Sequence, residues 1–387
     1  MAEAHTLTVE AGPHNRDRCP IEVALTWNYR RFKGACLTDV ESGKTLPCQL
    51  ARVSDRRVAL TWLVNNLKAG EKRQYCITPL ETSGSSQGVD VINEPDELRA
   101  DVYVRGGHFT SYHYAKQWVR PFLHPVIGPY GRQVTRSWPI TDGVEGESQD
   151  RPHHKSIWVG YGACNKVDNW SESGDHGWQR HHSFTNEFSG PVYGRLTAKI
   201  DWCTHAGRKQ FEEIRDMRFY ALPGGERLFD FNVTFCMTEA RVVFHDTKEG
   251  GLLAVRAAKA LETAQGGCIE NGYGGIGEEE TWGRRAPWCD RSGMIDGKTV
   301  GLAVFDYEAN PRYPTNWHVR DYGLMTANCF GWRHYRPQDK MKGDMVFPKG
   351  SQTTWRYRVF IHRGDASKGK VKDRFLDYIA PPKVTVK

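Results

Sequence analysis

The sequence has no Cys-x-x-Cys pair, no block of like charge, no stretch of about eighteen apolar residues and almost no helical periodicity. Without the first, its ten cysteines (19, 36, 48, 76, 164, 203, 236, 268, 289 and 329) read as separate small hydrophobes of a reducing compartment. Without the second, a net charge of +7, from 53 Lys and Arg against 46 Asp and Glu, is spread thinly, which argues against nucleic acid as a partner. The third removes a membrane-spanning helix, in keeping with a mean hydropathy of −0.63. MAEAHTLTVEAGP lacks the basic start and apolar core of a secretion signal, so a cytoplasmic protein is expected, or a periplasmic one if a leader has been trimmed.

What is present is β-prone and aromatic. The 13 Trp, 16 Tyr and 16 Phe suit sheets and sugar-facing clefts, where flat rings stack on apolar faces and polar edges hydrogen-bond. At 387 residues the chain exceeds one ordinary core. VALTWNYRR, KTLPCQLARV, RRVALTWLV and EKRQYCITPL predict a small β sandwich over 1–80, and ETSGSSQG opens a linker over 81–99. From 100 to 387 the strands lengthen. Leu196, Ala198, Ile200 and Trp202 alternate with Arg195, Thr197, Lys199 and Asp201, and Phe229, Phe231, Val233 and Phe235 alternate with Asp230, Asn232 and Thr234. Pro223-Gly224-Gly225 predicts an antiparallel turn. KVKDRFLDYIA, near the C-terminus, is the one helical pattern. Long antiparallel strands over this length predict two large sheets packed face to face.

Four stretches carry polar side chains that a strand does not need: RPFLHPVIGPYGRQVTRSWP with His124, RPHHKSIWVGYGACNKVDNWSE, HDTKEGGLLAVRAA, and ETWGRRAPWCDRSG with its sequel FDYEANPRYPTNWHVRDYGLMTANCFG. His153 and His154 either cap a turn or guard a site; on a strand, only one of two neighbours would enter a shared pocket. Lys248 and Glu249 are either a surface pair or charges at a close approach allowed by Gly250 and Gly251. Arg284 and Arg285 lie between Trp282 and Trp288, where guanidiniums stack on indoles. His318 and Arg320 alternate with Trp317, Val319 and Tyr322 and are expected on one strand face. His176, His181 and His182 allow a metal cluster, although their spacing is not diagnostic.

The order of these stretches, closed by YRVFIHRGD, resembles a bacterial family that carries the label "PmoA", a family of unknown function with a methane oxygenase name; the likeness covers most of residues 100–365. It departs where Arg151 replaces a further histidine before PHHKS, where His245 precedes DTKEG, and where FDYEANPR replaces FDHP. A membrane oxygenase subunit needs several apolar helices, and this chain has none, so the name is read as a misnomer. The family is similar to galactose-mutarotase-like supersandwich proteins, such as aldose epimerases and polysaccharide lyase domains. The resemblance therefore implies an all-β chain: a large antiparallel β supersandwich preceded by the small β sandwich, with a carbohydrate as partner.

On that reading the catalytic candidates are His154 as acid or base, with His153, Glu249, His318 and Lys155. Those for substrate binding are His124, Trp158, Lys248, Arg256, Trp282, Arg284, Arg285, Asp290, Arg320, Asp321 and Tyr322. Adjacent cations should hold His154 neutral. His153 and His154 are also the candidate ligands for one divalent metal ion. The expected function is a carbohydrate lyase or glycoside hydrolase acting on a glycoside or oligosaccharide, keto sugars included, by histidine and carboxylate acid–base chemistry with cationic oxyanion stabilisation. A non-catalytic carbohydrate-binding protein and a metal-dependent oxygenase are the alternatives. Sheet edges allow a homodimer.

Overall fold

The computed structural model describes residues 5–28, 30–82 and 88–387. Most of the ETSGSSQG loop expected at the domain boundary lies outside the described residues. The chain forms an all-β sandwich of antiparallel sheets.

The small unit packs a five-stranded sheet against a three-stranded one. The five-stranded sheet runs Lys383–Val386, His5–Glu10, Lys72–Leu80, Gly34–Asp39, Thr45–Leu46; the other runs Cys19–Leu25, Arg57–Val64, Cys48–Ser54. Leu7, Val9, Ile21, Trp62, Tyr75 and Ile77 fill the space between them. Two boundaries differ from the sequence reading. The strand Lys383–Val386 belongs to this unit, paired with His5–Glu10. Val89–Glu94, inside the expected linker, is the edge strand of a large sheet; its Asp, Asn and Glu content disguised it as a turn.

The large unit faces an eleven-stranded sheet against an eight-stranded one. The first runs Val89–Glu94, Arg99–Val104, Gly107–His113, Phe122–Leu123, Ile157–Cys164, Gly250–Arg256, Leu324–Ala327, Trp317–Val319, with three short strands attached. The second runs Trp178–Phe188, Tyr193–Cys203, Lys209–Tyr220, Arg227–Cys236, Gln352–Arg363, Lys298–Asp306, Trp288–Ile295, Cys268–Asn271. The expected alternation holds: Phe229, Phe231, Val233 and Phe235 are buried and the residues between them are not. The rings of Phe235, Phe244 and Phe330 stack at 5.2 and 5.4 Å across the core. Lys209–Tyr220 and Arg227–Cys236 pair antiparallel across the Pro223-Gly224-Gly225 turn. Val371–Ile379 is a helix, as its pattern predicts. No helix among the described residues is long and apolar enough to cross a membrane.

The outer face of the eight-stranded sheet corrects one expected ligand residue. Asp290 is fully buried and accepts a hydrogen bond from His362 Nε2 at 2.7 Å. Residue 301 must be glycine here, since a Cβ would lie 2.3 Å from the His362 ring. Burial alone would lower the imidazole's pKa, but the attraction of Asp290 outweighs it and the net shift is upward. Asp290 therefore braces the sheet from within.

Replacing Asp290 by Ala strands one partner of a buried pair and should cost about 3–5 kcal/mol in urea unfolding. A raised histidine pKa contributes stability that is fully present below the unfolded value of about 6.5 and is lost as pH rises through the folded value. The gap between wild type and Asp290→Ala should therefore be widest in mildly acidic buffer and narrow in alkaline buffer; a constant gap would show the pair to be uncharged.

Candidate active site

The paired histidines lie in a turn. Arg151 and Ser156 take left-handed backbone angles, φ 44° and 56°, and His154 N–H donates to Arg151 O at 3.0 Å between them. The strand starts only at Ile157, so the alternation of neighbours does not apply. Both histidines line one cleft, with rings edge to face at 4.4 Å. Left-handed residues other than glycine cost about 1–3 kcal/mol each and persist where surroundings dictate them. Two buried arginines do so here. Arg136 Nη2 donates to Arg151 O at 3.0 Å and His154 O at 3.4 Å, and its Nη1 to Asp150 at 2.8 Å. Arg120 Nη1 donates to Trp170 O at 2.8 Å and His153 O at 3.4 Å.

The cleft, of about 450 Å³, lies on the outer face of the eleven-stranded sheet. The turn forms one wall. Thr247, Lys248 and Glu249 form the second, held against the strand Ile157–Cys164 by Gly162 N–H, which donates to Glu249 O at 2.7 Å. A Cβ on Gly162 would sit 2.8 Å from that oxygen, so the approach needs glycine. His318, Arg320 and Tyr322 form the third wall, and Asp168, Trp170 and Ser171 close the end.

Burial, then the charges of Arg120 and Lys155, lowers the pKa of His153 to about 4, with Glu172 opposing. His154 falls well below its usual value through burial first, then His153, Arg256, Arg136 and Arg151. His318 falls to about 4, because burial, Lys248 and Arg320 together exceed the pull of Glu249. All three are neutral at pH 7. Nδ1 of His154 is buried without a hydrogen-bond partner among the described residues. The His154 ring stacks on Trp158 at 5.3 Å and faces Tyr322 at 6.3 Å. Tyr322 lies between the guanidiniums of Arg151, at 4.0 Å, and Arg256, at 4.7 Å. Burial raises its phenol above the usual value despite those cations, so it keeps its proton. Both carboxylates are engaged: Glu249 pairs with Lys248, and Asp168 accepts from Trp170 N–H at 2.7 Å, from Ser171 N–H at 3.0 Å and from the Ser171 hydroxyl.

Seven expected residues thus meet in the cleft: His153, His154, Lys248, Glu249, His318, Arg320 and Tyr322. The rest are elsewhere. Lys155 turns away to pair with Glu172 and to donate to Pro152 O at 3.0 Å. Trp158 and Arg256 are fully buried beneath the cleft, so Trp158 supports His154 and is no platform for a sugar. Trp282 packs edge-on against Tyr335 at 5.3 Å. Arg284 is exposed and away from the cleft, while Arg285 holds a loop through Tyr313 O at 2.7 Å and Pro314 O at 2.8 Å instead of stacking on indoles. Asp321 is exposed and accepts from Thr263 Oγ1 at 2.7 Å. His124 lines a different cleft. Arg151, Asp168, Trp170 and Ser171 were not anticipated; the Asp-x-Trp-Ser turn in VDNWSE was the available signal.

The residues present do not fit a metal ion held by the protein. No group of three His, Cys, Asp or Glu side chains among the described residues is placed to hold one, so His153 and His154 lack a third ligand. His176 packs on Trp178 at 4.6 Å and His181 on Tyr114 at 4.5 Å, in separate environments.

Residues 99–375 match a family of unknown function, DUF6807. The chain belongs to that family. The DUF6807 match takes in every wall of the cleft and both large sheets except the edge strand Val89–Glu94, and leaves out the small sandwich. Its description names neither a methane oxygenase nor an aldose epimerase. No curated protein matches the chain.

Each histidine that stays neutral in the fold while its unfolded counterpart takes a proton removes about 1.4 kcal/mol of stability per pH unit below about 6.5. Unfolding midpoints should therefore fall from pH 6.5 to 4.5, less steeply in His318→Gln. Ring NMR signals of His153 and His318 should not titrate between pH 6 and 8; a midpoint there would contradict the electrostatics described.

Proposed function

We propose that the chain is a carbohydrate-active enzyme that removes a carbon-bound proton next to a carboxylate or keto group of a sugar, in a lyase-type elimination. The observation that carries this reading is the pairing of neutral, buried imidazoles, His154 and His318, with the cations Arg151, Lys248 and Arg320 around one cleft. Proton abstraction from carbon needs a neutral base and a fixed positive charge where the electron pair accumulates. Hydrolysis of a glycoside ordinarily needs two available carboxylates, and the two in this cleft are engaged with Lys248 and with the Asp168 turn.

In the proposed step His154 takes the proton. The electron pair forms a carbon–carbon double bond, the bond to the leaving oxygen breaks, and the Tyr322 phenol returns a proton to that oxygen. Arg320 is braced by Glu278 at 2.5 Å and, with Arg151, holds the substrate's anionic group. An anion entering the cleft offsets the cations that depress His154 and so raises its basicity when substrate is bound.

The test is mass spectrometry of the purified protein with uronides, neutral glycosides and their keto derivatives. An unsaturated fragment with total mass unchanged supports elimination; a gain of water means hydrolysis; tight binding without product means a binding protein. His154→Ala should lower kcat by about 10²–10⁴-fold, and full turnover in that variant removes the assignment. The acidic limb of kcat/KM should lie well below pH 6.5 and move upward in kcat, as the imidazole meets an anionic ligand.

A further inference from the structure

A second cleft, of about 580 Å³, opens on the same outer face of the eleven-stranded sheet and is lined by Tyr103, His108, Ser111, His113, His124 and Gln133 among others. Antiparallel register ties it to the first. His113 is opposite Phe122, Phe122 opposite Trp158, Trp158 opposite Ala254, Ala254 opposite Thr326, and Thr326 opposite His318. Side chains at paired positions share a face. One row therefore runs from the second cleft to the first over five strand spacings of about 4.8 Å, on the order of 24 Å. Beneath the row lies one buried apolar cluster, Phe122, Trp158, Trp170, Ala254 and Leu324, flanked by Ile140 at the second cleft and Tyr322 at the first.

The two ends differ in charge. Arg99 at the second cleft is neutralised by Asp101 at 2.9 Å and by Glu97. Asp101 also accepts from Ser111 Oγ at 2.6 Å, and Ser111 Oγ lies 3.1 Å from His108 Nε2. His113 Nε2 donates to His124 O at 2.8 Å. His124 is 4% exposed, and its Nδ1 has no partner among the described residues. Gln133 spends its amide N–H groups on Thr135 O and Ser137 Oγ, both at 2.8 Å. This is a neutral, hydrogen-bonding cleft with an aromatic rim at Tyr103, suited to hydroxyl groups and to the apolar face of a ring.

We infer that the second cleft is a distal subsite for neutral sugar units of an oligosaccharide whose anionic or keto-bearing unit occupies the first cleft. The inference rests on the carbohydrate reading above and adds a substrate class: a chain long enough to span the row, not a monosaccharide.

The test uses the full chain labelled at its histidine rings and observed by NMR, with glucuronic acid, cellohexaose, xylohexaose and hexameric oligouronides as probes. Perturbation of His113 and His124 together with His153 and His154 by a hexamer, with glucuronic acid moving only the latter pair, is the expected result. A hexamer that moves only the first-cleft histidines overturns the subsite and leaves the enzyme reading standing. One that moves only His113 and His124 keeps the second cleft as a sugar site and removes the proposed reaction; no response to any probe counts against both. Tyr103→Ala, at the half-exposed rim, should weaken hexamer binding about threefold to tenfold and leave glucuronic acid binding unchanged; equal weakening of both, or of neither, overturns the assignment.

Discussion

Three guanidiniums buried beneath one turn set the form of the site. Arg120, Arg136 and Arg256 are each at most 1% exposed, and a charge taken out of water must be met by oxygen atoms or it unfolds its surroundings. Segments 148–156 and 170–172 supply most of those oxygens, as backbone carbonyls, Ser148, Asp150 and Glu172, and Glu262 adds one to Arg256. The turn bends into left-handed angles at Arg151 and Ser156 because its carbonyls are aimed downward at the cations. Burial lowers Arg256 to about 9 and Arg136 to about 10, and both remain charged at neutral pH. The imidazole of His154 thus rests over positive charge held in place by burial and hydrogen bonds.

That arrangement explains what the sequence could disclose. Sheet periodicity is a local property, so the burial of Phe229 to Phe235, the antiparallel pair about Pro223-Gly224-Gly225, and the shared face of His318 and Arg320 were all legible. Seven cleft residues were also legible, because charged and imidazole side chains clustered beside β runs had no folding role to perform. Lys155 was misplaced for a specific reason: the segment is a turn and not a strand, so the ammonium swings to Glu172 while His153 and His154 stay together. Asp290 and Arg285 have partners 72 and about 28 positions distant, and nothing in a local pattern announces such pairings. Val89–Glu94 was hidden by its composition, since an edge strand can keep polar residues where a central one cannot.

The two clefts on one sheet face also share a design constraint. Both rely on imidazoles kept neutral by burial, yet one is lined by three cations, Arg151, Lys248 and Arg320, against two carboxylates, Asp168 and Glu249, while the other has its single arginine cancelled. A ligand with its charge at one end would be oriented by that difference before any close contact forms, because long-range attraction acts at only one end of the row.

The strand Lys383–Val386 covers the edge of His5–Glu10 in the small sandwich. During synthesis that edge is made near the start and its neighbour only after the large sheets have been translated. Until residues 383–386 leave the ribosome, the first strand presents unpaired amides able to recruit another chain's strand. The helix Val371–Ile379 immediately precedes the late strand and is anchored by Asp377 to Arg16 at 3.1 Å and by Arg374 to Asp17 at 3.9 Å, so a pair of ionic contacts delivers the closing strand to its place.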